Sequence, residues 1–116
     1  MTDITTTSVV GIGKLGAPLA ACLAARGYQV VAADTDAAKV AALGRGEAPV
    51  FEPGLAEMLA EHKAKIRATQ DVAEAVKASQ ITFIVVPTPS GADGEFSLQF
   101  TLAACHEIGR ALRDKP

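Results

Sequence analysis

The chain has 116 residues and a formal net charge of −2, with 49% hydrophobic and 4% aromatic residues. A chain this apolar with interspersed charges is not intrinsically disordered, and it offers no basic or aromatic surface for nucleic acid or for an anionic membrane. No apolar run reaches the roughly 18 residues of a membrane span, and the N-terminus lacks a secretory signal pattern. Cys22 and Cys105 have neither metal-site nor disulfide spacing, which favours a reducing cytoplasm.

The first half of the chain alternates short apolar runs with helical patterns. It is predicted to form a buried strand over 8–10, a helix over 14–26, a buried strand over 28–33 and a helix over 37–43. The helical period places the larger apolar residues of the first helix on one face. We expect that face to be buried: Leu15, Leu19, Cys22 and Leu23.

The second half is predicted to contain helices over 55–63 and 71–78, a short strand over 66–69 and a longer strand over 81–86. Asp71 and Glu74 have the spacing of a capping box at the start of the second of these helices. Ser97 is the expected N-cap of a final helix, and Cys105 is expected to be a small core residue on its apolar face.

Strands that alternate with helices indicate an α/β fold with a parallel sheet and right-handed crossovers. We therefore predict the first half of a Rossmann-type doubly wound sheet, with the strand order 3-2-1-4. Such a sheet is truncated relative to the complete fold and has an uncovered strand edge beside its fourth strand. An uncovered edge favours self-association, so a homo-oligomer is one expectation.

Residues 11–16, here called the glycine turn, match the G-x-G-x-x-G pattern between a strand and a helix. Gly11 permits the tight turn, Gly13 lets the backbone approach a pyrophosphate, and Gly16 lets the helix pack closely on the strand. The N–H groups of Lys14 and Leu15, at the helix N-terminus, face the anion. The pattern predicts a dinucleotide site; the alternative is a strand-to-helix turn that binds nothing.

The choice of dinucleotide depends on Asp34, which ends the second strand at the expected distance from the glycine turn. Its carboxylate can accept both hydroxyls of the adenosine ribose and repels a 2′-phosphate, so NAD is favoured over NADP. Lys14 is a cation close to a helix N-terminus, where it opposes the helix dipole. It either lies near the cofactor pyrophosphate or points into water.

A second candidate contact follows the fourth strand, at Pro87-Thr88-Pro89. In the 3-2-1-4 order this loop lies beside the glycine turn, across the crevice where ligands bind. The Thr88 hydroxyl can donate to a phosphate or ribose oxygen, and Pro87 and Pro89 fix its direction. The alternative is that Thr88 only caps the loop.

Several motifs of the chain resemble the N-terminal domain of the UDP-glucose/GDP-mannose dehydrogenase family. Besides the glycine turn they are Asp34-Thr35-Asp36 with Lys39-Val40, Phe51-Glu52-Pro53-Gly54-Leu55, Asp71 before Glu74-Ala75-Val76, and Phe83-Ile84-Val85-Val86-Pro87-Thr88-Pro89. The resemblance implies that Asp34 and Lys39 contact the adenosine ribose and that Thr88 contacts the cofactor on its other side. The chain departs from the family at Lys14-Leu15, where Tyr-Val is usual.

Members of this family oxidise the C6 alcohol of a nucleotide sugar to a carboxylate in two NAD-dependent steps, through a thioester on a cysteine. The resemblance implies that this cysteine, its partner lysine and the sugar-nucleotide site lie beyond residue 116, and neither Cys22 nor Cys105 matches them. We therefore expect residues 1–116 to be the N-terminal portion of the NAD-binding domain of a UDP-glucose 6-dehydrogenase-type enzyme. The central and C-terminal domains are absent, so the chain is not catalytic alone and a sugar nucleotide binds only to a full-length enzyme.

Two other classes of protein also have a glycine turn and an acidic residue at the end of the second strand. One is a stand-alone NAD-binding regulatory or sensor module, and the other is a hydroxyacid or phosphogluconate dehydrogenase. Neither class of protein is expected to contain Glu52-Pro53-Gly54-Leu55 or Pro87-Thr88-Pro89. The presence of these two motifs therefore disfavours both alternatives.

Overall fold

Four parallel strands form the centre of the fold in the computed structural model, which describes residues 4–85 and 99–113. They are β1 (Thr6–Val10), β2 (Gln29–Ala33), β3 (Ile66–Thr69) and β4 (Ile81–Ile84). Their order is β3-β2-β1-β4, and every neighbouring pair is parallel. This order confirms the predicted α/β sheet.

Helices cover both faces of the sheet. They are α1 (Gly16–Ala25), α2 (Ala37–Gly44), α3 (Leu55–Glu61), α4 (Val72–Ala78) and α5 (Gln99–Arg113), with a short 3-10 turn over Lys63–Lys65. The main core joins α1, α2 and α3 to one face of the sheet, while α4 packs on the other face. None of the helices within 4–85 and 99–113 is long and apolar enough to cross a membrane.

The buried face of α1 differs from the predicted one. Alanines, not the larger residues, face the sheet: Ala17, Ala20, Ala21 and Ala24 are all buried. Leu15 is 73% exposed and Cys22 is also exposed, so the prediction of a core position for them was wrong. The physical reason is that α1 lies against the strand so closely that only methyl groups fit, which leaves Leu19 and Leu23 half-buried at the margin of the core.

Two further predictions need correction. Cys105 on α5 is exposed instead of being a core residue, and Leu102 and Leu112 on the same helix are exposed as well. At the start of α4, Asp71 is the N-cap and accepts the Glu74 N–H (3.2 Å), but the capping box is not closed.

The Glu74 carboxylate instead pairs with Arg67 and accepts from the Thr69 hydroxyl. The Asp71 N–H donates to that same hydroxyl oxygen (3.0 Å). Thr69 is therefore the acceptor for the N-cap N–H, a role that Glu74 has in a closed capping box. Ser97, the predicted N-cap of α5, and the last residue of the predicted strand over 81–86 lie outside the described residues.

The two edge strands of the sheet differ in charge. β3 carries Arg67, whose ion pair with Glu74 protects that edge, whereas β4 has no charged residue. Ile81, Phe83 and Ile84 of β4 are 37–42% exposed, and no other described strand pairs with its outer edge.

We expect the purified chain to self-associate through β4 as its concentration rises, because the unpaired N–H and C=O groups of an apolar edge accept another strand. Phe83→Lys should lower the mean mass measured by light scattering, because an edge lysine opposes pairing. Phe51→Lys is the matched control, since Phe51 is 90% exposed and is not part of β4. Far-UV circular dichroism checks that each variant folds. A wild-type chain that stays monomeric at high concentration would contradict the expectation.

Candidate functional site

The parallel sheet brings the ends of three strands to one edge. The Gly11 N–H, just after β1, donates to the Ala33 carbonyl at the end of β2 (2.8 Å). The Val85 N–H, just after β4, donates to the Val10 carbonyl at the end of β1 (2.8 Å). The glycine turn therefore lies between the end of β2 and the end of β4, at the crevice where doubly wound folds bind ligands.

Gly11 and Gly16 give the glycine turn its shape. Gly11 has φ +112°, a conformation that residues with a Cβ rarely adopt. A Cβ atom on Gly16 would lie 1.7 Å from the carbonyl oxygen of Gly11 and 2.8 Å from its carbonyl carbon. The chain therefore enters α1 by passing directly over the end of β1, and the absence of both side chains makes this close approach possible.

The N-terminus of α1 presents free donors. Leu15 is at the N-cap position and provides no side-chain cap, and the first turn of α1 has no acidic residue. Within the described part of the chain, no acceptor receives the N–H of Gly13, Lys14 or Leu15. These donors and the positive end of the helix dipole suit an anion such as a pyrophosphate.

Gly13 has open space where a side chain would be. A Cβ atom built on it would meet no atom of the described protein within 4 Å. The backbone at Gly13 is therefore accessible to a ligand, in contrast to Gly16, where the space is filled by protein. This opening and the free donors beside it fit the pyrophosphate of a dinucleotide.

Asp34 follows β2 and faces the glycine turn. Its Oδ2 accepts the Ile12 N–H (2.8 Å) and its Oδ1 accepts the Asp36 N–H (2.9 Å). Each carboxylate oxygen has capacity for a second hydrogen bond, so the group can still accept the two ribose hydroxyls. The motif predicted the position of Asp34, but sequence reasoning missed both backbone contacts because no motif encodes them.

Lys14 lies in the glycine turn, and Lys39 lies in the first turn of α2. Lys14 is exposed and Lys39, the third residue of α2, is half-buried. Asp36 caps α2 by accepting the N–H groups of Ala38 (2.9 Å) and Lys39 (3.3 Å), which fixes where Lys39 leaves the helix. A contact of either lysine with a cofactor stays a prediction.

Pro87 and Thr88 lie outside the described residues. The hydrogen bond from Val85 to Val10 places the end of the described β4 segment next to the glycine turn. The proposed contact of Pro87 and Thr88 with the far side of the cofactor therefore also stays a prediction.

Residues 5–116 match the NAD binding domain of the UDP-glucose/GDP-mannose dehydrogenase family. The chain belongs to this family. Its cofactor is NAD, which agrees with the open backbone at Gly13 and the carboxylate at Asp34. Membership in the family confirms the predicted resemblance over nearly the whole chain.

Individual relatives are similar along the same stretch. A GDP-mannose 6-dehydrogenase from Azotobacter vinelandii is 42% identical over 110 residues, which cover 93% of this chain and 25% of that protein. A UDP-glucose 6-dehydrogenase from Pseudomonas aeruginosa is 39% identical over 107 residues, which cover 90% of this chain and 24% of that protein. This dehydrogenase-family chain thus spans about a quarter of the length of the curated relatives it matches.

The fold is shared with solved structures of the family. A ternary complex of GDP-mannose dehydrogenase from Pseudomonas aeruginosa superposes with a TM-score of 0.92 at 37% identity. The superposition covers 94% of this chain and 26% of that one. The Rossmann-type architecture that the strand order indicates is therefore the architecture of this family.

Proposed function

We propose that the chain is the NAD-binding portion of a nucleotide-sugar 6-dehydrogenase, an enzyme that oxidises the C6 alcohol of a sugar to a carboxylate. The observation that carries the proposal is the glycine turn, in which the free N–H groups of Gly13 to Leu15 directly follow the Ile12 N–H that donates to the Asp34 carboxylate. Membership in the dehydrogenase family, with residues 5–116 matched, supports it. Residues 1–116 then form one NAD-binding unit of a longer enzyme.

The bound cofactor supplies a hydride acceptor for alcohol oxidation. The residues of this chain bind and orient it. The N–H groups of Gly13, Lys14 and Leu15 receive the pyrophosphate, while Asp34 accepts hydrogen bonds from the adenosine ribose. Lys39 contacts the same ribose from α2, and the Lys14 ammonium group offsets the pyrophosphate charge.

The loop after β4 completes the proposed site on its other side. Thr88 donates its hydroxyl to the cofactor, and Pro87 fixes the direction of the loop. No residue of this chain has a proposed catalytic role.

The sugar nucleotide is the finer part of the proposal. The sequence resemblance by itself predicts a UDP-glucose 6-dehydrogenase type. The relative named GDP-mannose 6-dehydrogenase is 42% identical to this chain and the one named UDP-glucose 6-dehydrogenase is 39% identical. We therefore propose GDP-mannose as the first substrate to test, with UDP-glucose as the second.

A cytoplasmic location stays a prediction from cysteine usage.

The experiment has two parts, beginning with the chain alone. Isothermal titration of the purified chain should show weak NAD binding and weaker NADP binding, because Asp34 repels a 2′-phosphate. The same chain should form no NADH from NAD with GDP-mannose or UDP-glucose. Formation of NADH by the purified chain would contradict the claim that it only binds the cofactor.

The second part uses the longest reading frame that contains these residues. We expect it to reduce NAD in the presence of one of the two sugar nucleotides. NAD binding with no turnover of any nucleotide sugar would instead support a stand-alone regulatory module. The absence of NAD binding to either form would contradict the proposal as a whole.

A further inference from the structure

The glycine turn is tied to the end of β2 at two neighbouring positions. The Gly11 N–H donates to the Ala33 carbonyl, and the Ile12 N–H donates to Asp34 Oδ2, each at 2.8 Å. Ile12 is fully buried, and its side chain belongs to the main core. Water therefore cannot replace Asp34 as the acceptor, and a buried N–H without an acceptor is costly.

The second oxygen of Asp34 is also in use. Oδ1 accepts the Asp36 N–H (2.9 Å), and the Asp36 carboxylate in turn accepts the N–H groups of Ala38 and Lys39 at the start of α2. The glycine turn, Asp34 and the first turn of α2 form one hydrogen-bonded unit. The carboxylate is held by the protein before a ligand arrives.

We propose that Asp34 is a positioning residue for the glycine turn in addition to being a contact for the ribose. Its carboxylate fixes the Ile12 amide, and this holds the following N–H groups, from Gly13 to Leu15, in the arrangement that receives a pyrophosphate. The part of this inference that concerns a ligand rests on the proposed function. The part that concerns the ligand-free protein does not.

The chemistry of an amide separates the two roles. Asp34→Asn keeps the size of the side chain but replaces one acceptor oxygen with an NH₂ donor. Two backbone N–H groups then compete for one neutral oxygen. The Ile12 N–H therefore either faces an NH₂ donor or bonds to an uncharged oxygen, which is a weaker acceptor than a carboxylate. A residue that only contacts the ribose has no such effect on the ligand-free turn.

The first experiment measures amide hydrogen exchange by NMR without any ligand. In Asp34→Asn the Ile12 amide should exchange at least about tenfold faster than in the wild type, the ratio that corresponds to one lost hydrogen bond to a charged acceptor. Asp71→Asn is the matched control, because Asp71 accepts the Glu74 N–H at the start of α4 and accepts no hydrogen bond from the glycine turn. It should leave the exchange of Ile12 unchanged.

Equal Ile12 exchange in the wild type and Asp34→Asn would overturn the proposal. If Asp34→Asn does not fold, Asp34→Glu is measured in its place. This variant keeps the charge but moves the carboxylate by one methylene group, so the same acceleration at Ile12 is expected. Unchanged exchange in Asp34→Glu would likewise overturn the proposal.

The second experiment compares ADP with 2′,3′-dideoxy-ADP, which has the pyrophosphate but lacks both ribose hydroxyls. Positioning by Asp34 predicts that Asp34→Asn weakens both ligands several-fold in NMR titrations. A role limited to the ribose predicts weaker ADP binding with unchanged or tighter binding of the dideoxy compound, because a negative charge near the pyrophosphate is removed. That second pattern would overturn the proposal. Failure of the wild type to bind either ligand would contradict the proposed function, and the exchange result would still decide the positioning role.

Discussion

Gly16→Ala is expected to lower the free energy of unfolding by about 3 kcal/mol or more, at or beyond the upper end of typical core overpacking. The added Cβ would lie 1.7 Å from the carbonyl oxygen of Gly11, so either α1 or the end of β1 must move. Both are part of the main core, and neither can shift without separating packed side chains. Urea unfolding followed by circular dichroism measures the change.

Gly44→Ala is the matched control for this substitution. Gly44 is the last residue of α2, and a Cβ atom there meets nothing within 4 Å. Alanine also has a higher helix propensity than glycine, so this variant should be as stable as the wild type or slightly more stable. If Gly16→Ala unfolded at the wild-type urea concentration, the close approach of α1 to Gly11 would not be a constraint on the fold.

Gly13→Ala is expected to leave the stability of the fold unchanged and to weaken the binding of NAD. The variant should unfold at the wild-type urea concentration, because a Cβ atom at Gly13 meets no described protein atom within 4 Å. Its affinity for NAD should fall at least about tenfold, because the methyl group occupies space that the pyrophosphate needs for its close approach. Isothermal titration with NAD measures the affinity.

Gly44→Ala again supplies the control and should bind NAD as the wild type does. Taken together, the variants separate a glycine that the fold requires from one that the ligand requires. Unchanged NAD affinity in Gly13→Ala would show that the pyrophosphate does not approach the backbone at this position.

The arrangement of the strands followed from the sequence because few topologies are compatible with it. Alternating strands and helices require crossovers of one hand, and the glycine turn identifies the strand at the switch point. Even the short β3 (Ile66–Thr69) was predictable, since it fills the one position left beside β2. Rules that apply to every chain of this class carried this part of the prediction.

The packing of α1 did not follow from the sequence in the same way. Hydrophobic periodicity gives leucine more weight than alanine, so it selected the face with Leu15 and Cys22. The distance between the helix and the sheet decided otherwise, and Gly16 is the only local sign of that distance. A small residue at the start of the helix is thus a better guide to its buried face than the size of its apolar side chains.

The candidate site was likewise predictable only in part from the sequence. The residue types and spacing of Gly13 and Asp34 predicted where they lie, because the motif itself records the contacts that a dinucleotide needs. The bonds from Asp34 to Ile12 and Asp36 serve the protein in the absence of a ligand, and no ligand-based motif records them. Glu74 also departs from the capping box, because Arg67 and Thr69 of the preceding strand β3 bind its carboxylate, and the capping-box pattern does not record these contacts.

The alanine face of α1 gives distant substitutions a route to the cofactor. Only methyl groups lie between the middle of this helix and the sheet at Ala20 and Ala21, so a single added carbon acts as a wedge. A helix moves as a rod, and a wedge at its centre tilts the N–H groups at its end away from the position they share with Gly13. Conservative substitutions of these two alanines are therefore expected to change the affinity for the dinucleotide while the strand order stays intact.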